Sequence, residues 1–364
     1  MKMLGLMLLC AAAAFGDPIY TIVQLNGSPS TGYAINSVGA VAGWVEASSG
    51  AQQAFSWNGG NFQTLPLGSG TESYAYGIND AGTVVGNTYI DGQSHATIWS
   101  SGSGTTVLGA NTYATAINNS GEVVGSNGNA FAILNGNVED LAMPAGLNWS
   151  AAYGVNDAGE VVGDGRLANG TFLGLVWNMN GSATVLGTLG GNSSQATGVN
   201  SSGEVVGFAT MADGYQHAFS WLNGVMIDLG TLGGSSYAYG INASGEIVGY
   251  SYLADGDQQA FLYYNGSMLN LNSLLPANSG WDLEEAFGIN AAGQITGMGL
   301  YDGQWTAFLM TDPPVGGANV APVPEPGTNL MIAVAAGLIA LLRSRAGDGQ
   351  PRRAIRLLLR PSAK

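Results

Sequence analysis

A ten-residue phrase recurs seven times in this chain and restricts its possible folds more than any other feature. Each copy places Asn after Ile or Val, with Gly three and seven residues beyond: AINSVGAVAG, GINDAGTVVG, AINNSGEVVG, GVNDAGEVVG, GVNSSGEVVG, GINASGEIVG and GINAAGQITG. The asparagines are Asn36, Asn79, Asn118, Asn156, Asn200, Asn242 and Asn290. Their spacings of 43, 39, 38, 44, 42 and 48 residues average about 42. Such a period is typical of architectures that repeat one supersecondary unit.

Each repeat predicts four short antiparallel strands. Asn-x-x-Gly between two apolar runs predicts a hairpin turn, in which the Asn side chain bonds to the backbone two residues on and Gly takes a positive φ. Asp-Gly pairs such as Asp91-Gly92 and Asp213-Gly214 come before a third strand, as in HATIW and HAFSW. Asn-Gly pairs such as Asn58-Gly59 and Asn223-Gly224 come before a fourth, as in VMIDLG. Four strands in about 42 residues match one blade of a β-propeller.

The two ends of the repeat region predict a closed ring. YTIVQLNG, from Tyr20, aligns with a fourth strand, whereas the last repeat lacks one because Pro313 and Pro314 follow its third strand. Pairing the N-terminal strand with the last three would complete a seventh blade and remove an open sheet edge. We therefore predict an all-β fold, a seven-bladed β-propeller of four-stranded antiparallel blades over residues 17–311. The alternative, an open solenoid, needs no such strand exchange.

Residues 1–16 predict a signal peptide. Lys2 is followed by an apolar run to Phe15 and then Gly16, the pattern of a secretory signal, and this run is too short for an ordinary membrane-spanning helix. Cys10, the only cysteine, could mark a lipoprotein signal, but Leu8 and Leu9 stand where small residues are expected. The exported product would lack disulfides, thiol nucleophiles and cysteine metal sites.

The charge of the repeat region excludes two classes of partner. Between Asp17 and Val320 there are 22 Asp and Glu residues against one basic residue, Arg166, a net charge of −21. Such a surface repels nucleic acid and anionic lipid. The regular placement of aromatic and aliphatic residues argues against disorder, despite the acidic composition.

The C-terminal region predicts a linker, a short membrane helix and a basic tail. Residues 312–322 are rich in Pro and Gly, and residues 323–345 contain a 13-residue apolar run, from Leu330 to Leu342, that is short for a bilayer. From Arg343 onward there are seven basic residues and one acidic residue. This bias predicts that the tail, residues 346–364, stays cytoplasmic, although RRAIRLLLR could instead lie on the membrane surface.

The segment HAFSWLNGVMIDLGTLGGSSYAYGINASGEIVGYS, residues 217–251, resembles the extracellular repeats named HAF after their first tripeptide. The resemblance extends over residues 20–311, although the third and fourth repeats have NAF and TFLGLVW in place of HAF, and GTLGG occurs only twice. It implies an exported bacterial repeat protein without an assigned reaction. The closed seven-bladed ring is predicted by the strand order and not by this resemblance.

Residues 323–345 resemble a PEP-CTERM sorting signal. Pro324, Glu325 and Pro326 match its motif, and the apolar run and the arginines Arg343 and Arg345 follow in the expected order. The resemblance implies recognition by a membrane-embedded exosortase, transient anchoring by the helix, and a place at the cell surface or in a biofilm matrix rich in exopolysaccharide. Such signals usually end just after the arginines, so the 19-residue extension departs from the pattern.

Few polar residues predict chemistry, because most recur by repeat. His95 and His217 occupy one position in two repeats, and Gln53 and Gln259 fill it elsewhere, so a structural role is favoured over catalysis or metal binding. Glu284 and Glu285 would face opposite sides of a strand and form a poor acid–base pair. No Gly-x-Ser-x-Gly nucleophile motif at a strand-to-helix turn is predicted, and the glycine-rich GTLGG segments precede no helix that would hold a phosphate.

Acidic and aromatic positions leave two weaker possibilities. Glu122, Glu160, Glu204 and Glu246 follow the turn glycines, and Asp213, Asp255 and Asp257 lie at hairpin turns. We interpret both sets as structural, with weak calcium binding as the alternative, and expect no cofactor. Tyr74, Tyr76, Tyr237 and Tyr239 are interpreted as core residues that could instead stack on sugars at a channel mouth.

These observations predict a non-enzymatic binding or matrix module, with extracellular polysaccharide or a surface protein as its partner. The main alternative is an extracellular propeller enzyme, a lyase or hydrolase acting on polysaccharide. That alternative requires polar residues unique to their blades to converge at the axis, and the sequence gives no convincing set. A purely structural spacer is a third possibility.

Overall fold

The chain folds into seven sheets of four antiparallel strands each, which confirms the predicted seven-bladed β-propeller. This computed structural model describes residues 20–311, except residues 26, 28, 101–103, 135 and 179–180. Within that part of the chain there are 28 strands and a single 3₁₀ helix, Leu271–Leu274.

The first strand is β1, Thr21–Gln24. Blade 1 consists of β2 Ser30–Ile35, β3 Val41–Glu46, β4 Gln52–Asn58 and β5 Asn61–Thr64. Blade 2 consists of β6 Glu72–Ile78, β7 Val84–Ile90, β8 Gln93–Ser100 and β9 Gly104–Ala110. Blade 3 consists of β10 Tyr113–Ile117, β11 Val123–Ser126, β12 Ala130–Leu134 and β13 Asn137–Asp140. Blade 4 consists of β14 Leu147–Val155, β15 Val161–Leu167, β16 Phe172–Trp177 and β17 Ala183–Val185.

Blade 5 consists of β18 Gly190–Val199, β19 Val205–Met211, β20 Gln216–Leu222 and β21 Val225–Asp228. Blade 6 consists of β22 Gly233–Ile241, β23 Ile247–Leu253, β24 Gln258–Tyr264 and β25 Ser267–Asn270. Blade 7 consists of β26 Trp281–Ile289, β27 Ile295–Tyr301, β28 Gln304–Thr311 and, from the other end of the chain, β1.

The N-terminal strand closes the ring. β1 pairs antiparallel with β28, with Thr21 opposite Thr311 and Gln24 opposite Phe308. The first strand of each blade contacts the first strands of both neighbours, and β26 contacts β2, so the inner strands form a continuous circle. β1 thereby covers the edge of β28, which the last repeat alone would leave unpaired.

The hydrophobic core is divided among the interfaces between blades. Seven clusters of buried apolar residues each combine strands of two adjacent blades, one cluster for every interface in the ring. The Ala-Phe pair of the third strand lies in these clusters, and five of its phenylalanines are fully buried: Phe55, Phe131, Phe219, Phe261 and Phe308. Stacking the blades therefore buries the apolar faces that one repeat cannot bury alone.

Several predicted segments lie outside the described residues. They are the signal peptide at residues 1–16, the linker at residues 312–322 and the whole of residues 323–364, which include the sorting motif and the apolar run. No helix within the described part of the chain is long and apolar enough to cross a membrane.

Candidate functional site

The first strand of every blade carries a β-bulge at the same place, three residues before the repeat asparagine. In blade 1, Gly32 lies opposite Gly43 and Ala34 opposite Ala42, so Tyr33 is an extra residue without a partner on β3. The same irregularity occurs in the other six blades. The seven bulge residues are Tyr33, Tyr76, Thr115, Tyr153, Thr197, Tyr239 and Phe287, and all line one cavity on the ring axis. Bulges of this kind re-aim a side chain next to functional sites.

One side of this axial cavity is aromatic. Tyr33 lies at the centre, with its ring centroid 5.2 Å from that of Tyr76 and 5.0 Å from that of Phe287. Phe287 lies in turn 5.3 Å from Tyr239. These four rings, contributed by blades 2, 1, 7 and 6, form a continuous wall that we call the aromatic arc. Such distances and tilts are typical of favourable ring packing.

The opposite side, contributed by blades 3, 4 and 5, is polar. Thr115 donates its hydroxyl to the Ala152 carbonyl at 2.8 Å, and Thr197 donates to the Ala238 carbonyl at 2.8 Å, so each bridges to the following blade. Tyr153 lies between them on β14. We call Thr115, Tyr153, Thr197 and Gln195, a cavity-lining residue of β18, the polar wall.

A buried carboxyl group lies behind the polar wall. Asp164 on β15 is fully buried, and its Oδ2 accepts a 2.7 Å hydrogen bond from Gln195 Nε2. The Tyr153 side chain lies against the same carboxyl group, while Oδ1 has no hydrogen-bond partner among the described residues. Burial raises the pKa of Asp164 to about 6, although the contacts with Gln195 and Tyr153 favour its charged form.

The axial cavity has a volume of about 700 Å³, which is within the usual range for small-molecule sites. Tyr113 and Trp149, at or near the beginnings of β10 and β14, line the end of the cavity away from the repeat asparagines. We call this side of the ring the open face, and the side of the asparagine hairpins the turn face.

The repeat asparagines form a closed ring of hydrogen bonds at the turn face. Each Nδ2 group donates to the backbone carbonyl of the next repeat asparagine at 2.9–3.2 Å, and Asn290 donates to Asn36, which completes the circle. Each Oδ1 accepts from the backbone N–H four residues on. The bond two residues on that the sequence predicts occurs in addition in four of the seven copies, at Asn156, Asn200, Asn242 and Asn290.

The glutamates after the turn glycines support this asparagine ring. Asn118 and Asn156 also donate from Nδ2 to Glu122 and Glu160, at 3.1 and 2.7 Å, and Asn242 donates likewise to Glu246. Glu204 accepts instead from the Ser220 hydroxyl at 2.8 Å. Burial raises the pKa of Glu122 against the effect of its Asn118 bond. These half-buried side chains hold the turns, and they do not converge on one point.

The two histidines are far apart in the ring and bond within their own blades. His95 Nδ1 lies 2.9 Å from the Leu108 carbonyl on blade 2, and Gln53 bonds Leu65 in the same way on blade 1. His217 on blade 5 lies 3.0 Å from Asp228. Each links the third strand of its blade to the fourth strand or to the residue after it.

The remaining acidic candidates are also dispersed. Asp213 and Asp255 accept backbone N–H groups two residues on within their hairpins, at 3.1 and 3.2 Å. Glu285 accepts from Gln258 at 2.6 Å, and a second irregularity of β26 at Glu284 disturbs the alternation assumed from the sequence. Burial raises the pKa of both glutamates. No group of three or more His, Cys, Asp or Glu side chains able to hold a metal occurs among the described residues.

The four candidate tyrosines divide between two roles. Tyr76 and Tyr239 line the axial cavity as members of the aromatic arc. Tyr237 instead stacks on Tyr250 with a centroid distance of 4.7 Å, and the Tyr74 hydroxyl bonds to Gln52. Tyr74 and Tyr237 are thus half-buried residues with contacts to neighbouring strands, and Tyr76 and Tyr239 are cavity residues.

Sequence reasoning missed Tyr153, Asp164 and Gln195, although the repeats contain a signal for them. The position eight residues after the repeat asparagine holds Trp44, Asn87, Ser126, Asp164, Phe208, Tyr250 and Met298. Only in blade 4 is the residue at this position a buried carboxylate, Asp164. Residues that differ between the repeats therefore indicate the polar side of the cavity better than residues that all repeats share. No convincing set of blade-specific polar residues near the axis was apparent from the sequence, and the structure places Tyr153, Gln195 and Asp164 together beside the axial cavity.

Comparison with protein-family models gave no match to this sequence, and comparison with curated proteins gave none either. Solved structures share the fold. The propeller domain of the Trilobed protease from Pyrococcus furiosus, described as having an open velcro topology, has a TM-score of 0.55 and 11% identity, over 83% of this chain and all of that one. In this chain, by contrast, β1 closes the last blade.

Two further similar structures are those of enzymes. A puromycin-hydrolyzing peptidase of Mycobacterium tuberculosis has a TM-score of 0.53 and 13% identity, over 84% of this chain and 54% of that one. Virginiamycin B lyase from Staphylococcus aureus has a TM-score of 0.50 and 12% identity, over 80% and 98%. Sequence identities this low establish a shared fold and no shared function.

Proposed function

We propose that this chain is an exported bacterial propeller that binds a saccharide in its axial cavity without cleaving it. One observation carries the proposal: the aromatic arc faces a wall of hydroxyl and amide side chains across a cavity of about 700 Å³. A sugar ring has apolar C–H faces and a rim of hydroxyl groups. A pocket with an apolar wall and a few placed polar groups matches both surfaces.

The polar wall has donors and acceptors for sugar hydroxyl groups. Tyr153 and Gln195 line the cavity, and their side chains rest against Asp164, which restricts their orientation. A preorganised donor loses little conformational entropy when it binds a ligand. The strongly acidic surface makes a nucleic acid an unfavourable alternative ligand.

We propose further that the chain reaches the cell surface through the signal peptide and the PEP-CTERM-like segment. This proposal rests on the sequence of residues 1–16 and 323–345 alone. Expression beside an exosortase, followed by mass spectrometry of the released protein, tests it. Loss of the residues after the motif, dependent on Pro324, Glu325 and Pro326, is the expected result, and an uncut C-terminus would contradict it.

Binding of purified residues 17–320 to bacterial and plant polysaccharides, and to oligosaccharides released from them, tests the saccharide-binding function. Tyr33→Leu removes the centre of the aromatic arc and should weaken binding at least tenfold, in line with the contribution of one buried aromatic contact. Tyr264→Leu, on the exposed end of β24, is the matched control and should bind as the unaltered protein does. Equal affinity in all three proteins would exclude the axial cavity as the site.

One observation favours the alternative, a propeller enzyme that acts on polysaccharide. Asp164 combines burial, a pKa raised to about 6 and a neighbouring tyrosine, which is the setting of many general acids. The same binding panel should therefore be monitored for new reducing ends and unsaturated products. Turnover that is lost in both Asp164→Asn and Tyr153→Phe while binding remains would establish the enzyme and reject the binding module.

A further inference from the structure

Arg166 is the one basic residue between Asp17 and Val320, and its position is not that of a structural ion pair. It lies exposed near the end of β15, opposite Trp149 on β14. The single ion pair among the described residues joins His217 to Asp228, so no carboxylate of that part of the chain lies within ion-pair distance of Arg166. In a domain of net charge −21, Arg166 is thus a cation without a carboxylate partner among the described residues.

Two aromatic side chains position this guanidinium group. Its central carbon lies 5.6 Å from the centroid of the Phe172 ring, a cation–π distance. Phe172 meets Trp149 edge to face, with 6.1 Å between centroids. This contact holds the guanidinium group beside the ring and leaves its N–H donors available for a bidentate partner.

These residues belong to a cleft that adjoins the axial cavity. Asn148, Trp149, Arg166 and Phe172 line a space of about 300 Å³ on blade 4. Trp149 also lines the axial cavity at the open face. A ligand that leaves the cavity on this side therefore passes Trp149 before it reaches Arg166.

We propose that the saccharide bound here carries a carboxylate, as a uronic acid does, and that Arg166 binds this group. The inference rests on the saccharide-binding function proposed above and specifies its ligand class. A planar carboxylate matches the fork of a stacked guanidinium group, and the polar wall and aromatic arc hold the adjoining sugar units. Because the rest of the surface is strongly acidic, the structure favours isolated uronic acid units over an uninterrupted polyanion.

Calorimetric titration with a matched pair of probes tests this inference. One probe is an aldobiouronic acid, glucuronic acid joined to a neutral sugar, and the other is the same disaccharide with its carboxyl group reduced to an alcohol. The unaltered protein should bind the acid about tenfold more tightly. Arg166→Gln should remove this preference and leave the affinity for the reduced probe unchanged, whereas Arg166→Lys should retain part of it.

A control variant separates a local effect from a change in net charge. Asn58→Asp changes the net charge by the same −1 as Arg166→Gln, but on the exposed turn between β4 and β5 at the turn face, and should keep the preference for the acid. Equal affinity of the unaltered protein for the two probes would overturn this inference and leave saccharide binding intact. A preference that persists in Arg166→Gln would also overturn it, and absence of binding to either probe would overturn the saccharide-binding function as well.

Discussion

Asn36 uses both ends of its side-chain amide. Its Oδ1 accepts from the Ala40 N–H at 2.8 Å to close its own hairpin, and its Nδ2 donates to the Asn79 carbonyl of the next blade at 3.0 Å. A serine could cap the hairpin, but it could not also reach the neighbouring blade. The double role explains why asparagine occupies this position in all seven repeats.

Asn36→Asp should lower the free energy of unfolding by about 2 kcal/mol at pH 7, because it removes the donor and places a carboxylate against a buried carbonyl. The loss of unfolding free energy should be smaller at pH 4, where the protonated carboxyl group of the introduced aspartic acid can again donate a hydrogen bond. Asn61→Asp, at an exposed position on β5, makes the same chemical change and serves as the control. Urea unfolding of both variants measures the difference, and equal stabilities would refute the bridging role.

Asp164 should make the protein less stable as the pH rises. Its folded pKa of about 6 lies above the value near 3.9 expected in the unfolded chain, so the folded state binds more protons between these values. Stability therefore falls through this window by up to about 3 kcal/mol. Asp164→Asn should lack this loss and be at least as stable as the parent protein at pH 7.5.

Denaturant titrations of Asp164→Asn at pH 4 and pH 7.5 test that expectation. Glu122, Glu284 and Glu285 have raised pKa values in both proteins, so part of the fall in stability with rising pH should remain in the variant. Asp213→Asn, which neutralises an exposed carboxylate and retains the hairpin acceptor, is the control. An unchanged pH dependence in Asp164→Asn would show that this group is not the cause.

At the scale of the strand, the glycine seven residues after each repeat asparagine lets two strands approach closely beside the bulge. A Cβ at Gly86 on β7 would overlap the carbonyl oxygen of Tyr74 on β6, and the equivalent glycines of the other blades meet the same obstacle. The close approach and the bulge recur together in every blade. The bulge that turns Tyr76 toward the axis therefore belongs to the same local packing as this glycine.

Gly86→Ala should destabilise the protein by at least 3 kcal/mol, since β6 and β7 would have to separate. Gly109→Ala is the matched control on the same blade, because its Cβ would meet no atom within 4 Å and its backbone has no positive φ. That change should be neutral or stabilising by up to about 1 kcal/mol. Thermal melts of the pair test the packing role, and similar effects at both sites would reject it.

At the scale of the molecule, the repeat made the fold predictable, whereas the site was not. Seven asparagines in register and the surplus strand before Asn36 were enough to predict blade number and ring closure. The bulges were not predictable, because regular alternation along a strand gives no extra residue and so cannot place Tyr33 or Tyr153 on the axis. The sequence marked Arg166 only by its charge and did not mark Asp164 at all, because both residues occur where the repeats differ and the repeated positions carried the predictions.

Ring closure should depend strongly on β1, although this strand has only four residues. Deletion through Gln24 would leave β28 with an unpaired edge, and should lower the melting temperature and promote self-association. A synthetic peptide of residues 19–27 should restore both properties, whereas a scrambled peptide should not. Melting curves and size-exclusion chromatography measure the effect, and a monomeric deletion variant of unchanged melting temperature would show that closure does not require β1.

The register of β1 and β28 has a mechanical consequence. Because Thr21 lies opposite Thr311 in an antiparallel pair, the two ends of the described chain leave the ring at the same point. A force that pulls those ends apart opens the pair like a zipper, one hydrogen bond after another, and meets little resistance. A force applied at Thr311 along β28 is instead shared in shear by the bonds to β1 and β27. The ring therefore resists tension along β28 and yields when its two ends are pulled away from each other.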